Sequence, residues 1–230
     1  MKLVVSMFVT LDGVAQAPGG PDEDRSGGFE HGGWSVPHWD QAMVDVQTAW
    51  TGTLDALLLG RGTWDIFAAH WPHAGDDDPI AVRFNQVPKY VASHAPLAMA
   101  WEGSTLLGDD IPAAVAALKA RPGNQLQVHG SPGLVQTLLQ HGLVNELRLW
   151  TFPLVLGQGK RLFAAGTVPA GLKLLDTLTF DTGVLFQHYA VGAPVSYGSF
   201  MLDNPPPEEL QRRLGIDERQ ASRTETADTP

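Results

Sequence analysis

A glycine lies at the start of a predicted helix in two segments, directly after an apolar run typical of a buried strand. The segments are LGRGT at residues 59–63 and HGSPG at residues 129–133. A helix start offers unpaired backbone N–H groups and partial positive charge, and glycine lets a phosphate approach the backbone. Arg61 adds a permanently charged, bidentate donor that suits a phosphate. We therefore predict two phosphate-binding strand ends, as a dinucleotide requires. Either junction alone is also ordinary turn chemistry, and the fingerprint G-x-G-x-x-G is absent.

Two carboxylates are candidate proton donors. Asp12 follows the first predicted strand and Asp40 precedes the first predicted helix. A positioned carboxyl group can act as a general acid. Asp12 is equally suited to an Asp-Gly turn, and Asp40 to a stabilising position at a helix start. Asp12, Asp40 and a water molecule therefore remain the alternatives.

Flat aromatic rings near the long loops are candidate substrate contacts. Trp34 and Trp39 could stack on a heterocycle, although packing in the core is the alternative for both. His70 and His73, followed by three aspartates at 76–78, could suggest metal-dependent hydrolysis. Because Pro72 interrupts that segment and no third histidine lies nearby, we predict no metal site.

The apolar pattern predicts alternating strands and helices followed by paired strands. This order is typical of an α/β fold with a mostly parallel sheet and an antiparallel C-terminal edge. Ser131 is predicted to cap the helix that begins at Pro132. The glycine-rich loop 11–37 is predicted to act as a lid or binding loop. Strands are predicted at 2–10, 54–59, 89–93, 125–129, 145–153, 172–180 and 184–191, and helices at 39–50, 63–69, 110–120 and 132–141.

The regular pattern ends near residue 193. We predict one domain over residues 1–193 and a C-terminal extension over 194–230 that is partly disordered, because the extension contains a proline run and a polar end. No internal repeat is visible.

Composition excludes several classes of protein. The 230 residues carry a formal net charge of −10, which argues against a nucleic-acid binder, since duplex binding needs a basic face. There are no cysteines, so a disulfide framework and a cysteine nucleophile are excluded. No apolar run reaches the length of a membrane span. We predict a cytoplasmic protein that binds neither nucleic acid nor membrane.

Four ordered motifs resemble those of the dihydrofolate reductase-like superfamily. They are VTLDG at 9–13, GRGTW after an apolar run at 60–64, KYVAS at 89–93, and the long stretch from HGSPG to GKRLF at 129–163. The chain is most similar to the branch that includes the reductase domain of bacterial riboflavin biosynthesis, the RibD C-terminal domain family. The resemblance covers roughly residues 2–192. It implies a dihydrofolate reductase-like three-layer sandwich.

The resemblance also implies NADPH as the cofactor and assigns residues to it. Gly60, Arg61 and Thr63 would hold the adenosine 2′-phosphate side, and Ser93 would lie beside the adenine ribose. One departure concerns residues 130–131, where dihydrofolate reductases have two glycines and an unusual cis peptide. The pyrophosphate would be bound by Gly130, Ser131, Gly133 and Leu134.

The resulting prediction is an NADPH-dependent reductase of a small heterocyclic, pterin- or pyrimidine-like substrate. Relatives in the family often pair, so we expect a homodimer, with Phe152 and Leu154 helping to form its surface. The alternative keeps the fold without catalysis, as a nucleotide-binding or ligand-sensing module.

Overall fold

The structure, a computed structural model, describes residues 1–98 and 100–216. The chain divides into two compact units, Met1–Val195 and Ser196–Pro230. Within the second unit, residues 207–216 are helical. The predicted partial disorder of the extension stays a prediction, because residues 217–230 lie outside the described part of the chain.

The first unit is built on one eight-stranded sheet of mixed direction. Its strand order is β4-β3-β2-β5-β1-β6-β8-β7. The six strands from β4 to β6 run parallel, whereas β8 and β7 pair antiparallel at the C-terminal edge. The predicted fold class is therefore confirmed. The strands are β1 (Lys2–Thr10), β2 (Leu54–Gly60), β3 (Lys89–Ala92), β4 (Ser104–Leu106), β5 (Gln125–Val128), β6 (Glu146–Phe152), β7 (Gly171–Thr179) and β8 (Leu185–Ala193).

Five α-helices cover the two faces of this sheet. One apolar cluster joins α4 and α5 to the face that carries Leu3 and Val5 of β1. Two other clusters join α1, α2 and α3 to the opposite face, which carries Trp150 of β6. Burial on both faces explains why the parallel strands read as continuous apolar runs. The helices are α1 (Gln41–Thr51), α2 (Arg61–His70), α3 (Pro79–Gln86), α4 (Ile111–Lys119) and α5 (Pro132–Gln140).

In the first unit, one α-helix and one strand, α3 and β4, were not predicted from the sequence. Asp78, the last of the three aspartates at 76–78, caps α3 by accepting a hydrogen bond of 2.8 Å from the backbone N–H of Ile80. Strand β4 has only three residues and pairs with β3 at the sheet edge. No helix of the described residues combines the length and apolar character needed to cross a membrane.

Candidate functional site

The predicted phosphate-binding segments follow neighbouring strands. β2 and β5 are adjacent and parallel, so the LGRGT and HGSPG segments emerge at the same edge of the sheet. β3 lies on the far side of β2 and brings Ser93 to that edge. In open α/β sheets, ligands bind at the carboxyl ends of the strands. The topology therefore gathers the predicted cofactor-binding residues along one edge.

The first turns of α2 and α5 are in direct contact. The hydroxyl oxygens of Thr63 and Ser131 lie 2.9 Å apart. A Cβ atom on Gly60 would stand 2.2 Å from the Ser131 hydroxyl oxygen, and one on Gly130 would stand 2.7 Å from that of Thr63. Gly130 also has φ +151°, in the region that favours glycine. These two glycines thus allow the two helix starts to meet.

The prediction that Ser131 caps α5 through its side chain is wrong. Ser131 has a left-handed backbone, with φ 63° and ψ 84°, and its hydroxyl group bonds to Thr63 of α2 instead of a backbone N–H group of α5. The bond between Gly130 and Ser131 is trans, as are all peptide bonds of the described residues.

The helices at this junction differ from the others in their capping. Asp40, Asp78 and Asp110 accept hydrogen bonds from the first turns of α1, α3 and α4. Within the described residues, neither α2 nor α5 has a side-chain cap. An uncapped helix start retains N–H groups that need an acceptor. Among α1 to α5, the two helices without a side-chain cap are therefore the two whose starts meet at the predicted phosphate site.

Each uncapped helix also carries a glycine in its first turn. These are Gly62 in α2, which was not among the predicted site residues, and Gly133 in α5. A Cβ atom on either glycine would meet nothing within 4 Å. Since glycine in a helix costs roughly 0.5–1 kcal/mol relative to alanine, packing gives no reason for it at these positions. Open space beside both helix starts suits the approach of a ligand. Leu134, by contrast, is buried in the core, so only its backbone could serve a ligand.

Arg61 and Ser93 are linked through the loop that follows β3. The Arg61 Nε donates to the Asp65 carboxylate at 2.9 Å, and its Nη1 donates to the Pro96 carbonyl oxygen at 2.6 Å. The Ser93 hydroxyl group donates to the Ala95 carbonyl oxygen at 2.8 Å. Arg61 therefore lies at the start of α2 and also hydrogen-bonds to the backbone of residues 95–96. Its guanidinium group lies 5.8 Å from the centroid of the Trp64 ring.

His129 precedes this junction and is a feature that the sequence reasoning missed. Burial, reinforced by the Arg148 cation, lowers the pKa of His129 to about 4. Its Nε2 lies 2.9 Å from the Gln127 side-chain oxygen. His129 is therefore neutral at neutral pH and adds no positive charge to the junction. Its neighbour Gln127 on β5 carries no signal in the sequence that would reveal this environment.

Asp12 anchors a loop at the end of β1. Its carboxylate accepts hydrogen bonds from the Thr10 hydroxyl group at 2.5 Å and from the Gly157 backbone N–H at 2.9 Å. The Thr10 bond, followed by backbone donors at Gly157 and Leu156, lowers the pKa of Asp12 to about 2. A carboxyl group with this pKa is ionised at neutral pH and holds no proton to donate. The role of Asp12 as the acid stays a prediction, and this pKa counts against it.

Asp40 is the N-cap of α1. Its carboxylate accepts a hydrogen bond of 2.8 Å from the backbone N–H of Met43. This is the helix-start role that the sequence left as the alternative. Asp40 precedes the first turn of α1, the first α-helix after β1 in the chain.

The two tryptophans proposed for substrate stacking pack against the protein. Trp34 is buried, and its ring N–H donates to the Gln16 carbonyl oxygen at 2.7 Å. Trp39 stacks on Trp150 with ring centroids 5.8 Å apart. The structure therefore gives Trp34 a packing role and leaves Trp39 only its partly exposed ring for other contacts.

Loop 11–37 is folded onto the turn that follows β6. Val14 forms a bridge with Arg161, and the Ala15 backbone N–H donates to the Lys160 carbonyl oxygen at 2.8 Å. These bonds tie the start of the loop down, so the whole segment is not a free lid. A cleft of about 260 Å³ lies between the loop and the turn, lined by Gln16, Ser26, Gly27, Phe29, Gln158, Gly159 and Lys160. The glycines and the lysine of the GQGK motif at 157–160 are the sequence signal that indicates this cleft.

Comparison with known proteins places the chain in a family. The uncharacterized protein YyaP of Bacillus subtilis (strain 168) is 28% identical over 187 residues, which are 80% of this chain and 92% of YyaP. A pyrimidine reductase-like protein from Corynebacterium diphtheriae has a similar structure, with TM-score 0.55 and 16% identity over 84% of this chain and 92% of that one. Dihydrofolate reductase from Enterococcus faecalis, complexed with NADP(H), gives TM-score 0.51 and 12% identity over 83% of this chain and 96% of that one.

The two structural likenesses confirm the dihydrofolate reductase-like fold. The family model of the RibD C-terminal domain matches residues 1–186, and this match supports a reductase-type role. The resemblance found in the four sequence motifs is thereby confirmed, and the chain belongs to the RibD C-terminal domain family.

Proposed function

We propose that this protein is an NADPH-dependent reductase of a small heterocyclic, pterin- or pyrimidine-like substrate. The observation that carries the proposal is the meeting of two uncapped helix starts, α2 and α5, at the carboxyl edge of the sheet. Two sets of N–H groups without side-chain caps suit two phosphate-bearing parts of one ligand. The reductase-type family and the fold shared with an enzyme complexed with NADP(H) support the same choice.

The residues that would bind the cofactor lie along the carboxyl edge of the sheet in the same order as the parts of the cofactor that they would contact. Arg61 and Ser93 would take the adenosine end, near β2 and β3. The backbone N–H groups of Gly133 and Leu134, with the Ser131 hydroxyl group, would take the pyrophosphate at β5. From β3 to β1 is three strand spacings, about 14 Å, which leaves the reacting end over β1 and β6. When bound, the cofactor supplies the hydride.

The substrate would lie beyond the reacting end, beside the folded loop 11–37. The cleft between this loop and the turn after β6 offers the Lys160 ammonium group and the amide of Gln158 for polar groups of a heterocycle. The Lys160 Nζ lies 2.6 Å from the Asp24 carboxylate, which fixes its position. We assign the proton transfer to water, because Asp12 is ionised at neutral pH and Asp40 caps α1.

A test of this function needs both binding and turnover. We expect purified protein to bind NADPH and to oxidise it when a suitable member of a panel of oxidised pterins and aminopyrimidines is added, followed by nicotinamide absorbance. Gly133→Ala should weaken NADPH binding, because its methyl group would occupy the open space at the start of α5. Binding without turnover on any member of a broad panel would favour the alternative, a non-catalytic nucleotide-binding module. Absence of NADPH binding would contradict the proposed reductase and leave a module that binds another ligand.

A further inference from the structure

Arg148 on β6 is a buried cation without a hydrogen-bond acceptor. The residue is 1% exposed. Its Nε, Nη1 and Nη2 atoms are all buried, and none of them donates a hydrogen bond to another group of the described residues. Buried polar groups are nearly always hydrogen-bonded, and the cost of leaving one unpaired is higher when the group is charged. Arg148 therefore needs an acceptor that the described part of the chain does not supply.

The aromatic ring next to Arg148 does not supply this acceptor. The guanidinium carbon of Arg148 lies 3.8 Å from the centroid of the Trp50 ring, near the end of α1. Contact with the ring face attracts the cation but uses none of its five N–H donors. Thr51, the next residue of α1, likewise has a buried hydroxyl oxygen without a partner. Unsatisfied polar groups therefore lie on both the strand and the helix at this point of the fold.

The carboxylate of Glu146, two residues before Arg148 on β6, is already paired. Its Oε1 accepts a hydrogen bond of 2.8 Å from the Lys2 ammonium group, and its Oε2 lies 2.9 Å from Nε2 of His188. Burial lowers the pKa of Arg148 to about 10, and the charge of Glu146 offsets only part of this effect. Arg148 is therefore still protonated at neutral pH, and its charge stays buried without a direct ion pair.

A small residue lies beside Arg148 in the sheet. Ser6 on β1 is the ladder partner of Arg148, so the two side chains share the face of the sheet on which Trp50 lies. On the other side of β1, Val5 pairs with Val128, which brings Ser6 level with His129. The row across the three strands is therefore His129, Ser6 and Arg148, with a short side chain between two long ones. This order leaves room above Ser6 for a small ligand, to which its hydroxyl group can also donate.

We propose that Arg148 binds a small monovalent inorganic anion, such as chloride, in the space above Ser6 and beneath α1. The anion supplies the acceptor that the guanidinium group lacks and neutralises its buried charge, which a water molecule does not do. One negative charge is enough, because Lys2 balances Glu146. None of the residues assigned to NADPH takes part, so this site can be tested independently of the proposed function.

Urea unfolding of the full chain in sodium chloride, and in sodium gluconate at equal ionic strength, tests this site. Gluconate is too large for the space above Ser6 and controls for general effects of salt. Chloride at about nine times its dissociation constant should raise the ratio of folded to unfolded chains about tenfold relative to gluconate, as expected for a ligand that binds only the folded protein. Arg148→Met keeps a long side chain but removes the charge, so it should lose this dependence on chloride.

Lys89→Met is the matched control. Lys89 is also fully buried beside a tryptophan ring, 4.6 Å from the centroid of Trp101, but its Nζ donates to the carbonyl oxygens of Asn85 and Glu102. Lys89→Met should therefore keep the chloride dependence of the wild type, and far-UV circular dichroism checks that both variants fold.

Crystals of the wild type grown in sodium bromide locate the ion without any variant. We expect an anomalous difference peak within hydrogen-bonding distance of the Arg148 guanidinium group. A bromide map without this peak overturns the proposal. So does a wild type that is equally stable in chloride and gluconate, or a chloride dependence that Arg148→Met retains.

Discussion

The contact between α2 and α5 makes a quantitative prediction for Gly60→Ala. Gly60 has φ −75° and ψ 161°, which any residue adopts, so the added methyl group causes no backbone strain. Its Cβ would lie 2.2 Å from the hydroxyl oxygen and 2.3 Å from the Cβ of Ser131. Overpacking of this kind costs about 1–3 kcal/mol. We expect the free energy of unfolding to fall by that amount, with weaker NADPH binding, because the helix starts must move apart.

The clash should disappear when Ser131 loses its side chain. Ser131→Gly removes one hydrogen bond to Thr63 but also relieves a left-handed backbone, so alone it should be nearly neutral. Combined with Gly60→Ala, it should restore most of the lost stability, which gives a coupling energy of about 1–2 kcal/mol. Gly62→Ala is the matched control, since its Cβ meets nothing within 4 Å. It should stabilise the protein by about 0.5–1 kcal/mol.

Urea unfolding followed by tryptophan fluorescence measures all four variants. The predicted clash is absent if Gly60→Ala is as stable as the wild type. It is also absent if the effects of Gly60→Ala and Ser131→Gly simply add, because then the two residues do not compete for the same space.

Two further predictions concern pH. The pKa of Asp12 falls from 3.8 to about 2 on folding, so its contribution of about 2 kcal/mol to the free energy of unfolding is fully present above pH 3.8 and is lost as pH falls through 2. In acid unfolding, Asp12→Asn should therefore be less stable than the wild type at neutral pH and should converge with it near pH 2. No convergence would contradict the assigned pKa. Burial lowers the pKa of Lys89 from 10.5 to about 8. Between pH 8 and 10.5 the unfolded chain therefore binds more protons than the folded protein does. Relative to Lys89→Met, the free energy of unfolding of the wild type should rise with pH in this range by up to about 1.4 kcal/mol per pH unit. Equal slopes of the free energy of unfolding against pH for the two proteins would refute this.

Strong local patterns made much of the fold predictable. β1, β2 and β5 have apolar runs bounded by glycine or polar residues, and each was predicted to within one residue of its end. α3 was missed because Asp78-Pro79, a good helix start, follows two aspartates that are typical of a loop. Its position depends on packing of Phe84 against Trp71, which sequence spacing does not reveal.

The sequence predicted the location of the candidate site, but it did not predict the side-chain contacts within it. Glycine followed by a helix at two strand ends indicated the edge of the sheet, and the parallel pairing of β2 and β5 brings those ends together. The bond between Thr63 and Ser131 joins residues 68 positions apart, which no local pattern encodes. Trp34 illustrates the same limit, because its partner Gln16 becomes visible only when loop 11–37 is folded.

Calorimetric titration of NADPH and NADH into the wild type, Arg61→Ala and Arg121→Ala tests the proposed cofactor site. Arg121 is the control, because its guanidinium also lies over an aromatic ring, 5.7 Å from Tyr90, but outside the proposed site. We expect NADPH to bind, and Arg61→Ala to lose about 1–3 kcal/mol more binding free energy for NADPH than for NADH, because Arg61 makes a charge-assisted contact to the 2′-phosphate. Arg121→Ala should bind as the wild type does. Failure of the wild type to bind either nucleotide would contradict the proposed cofactor site, and equal losses for the two nucleotides would show that Arg61 does not contact the 2′-phosphate.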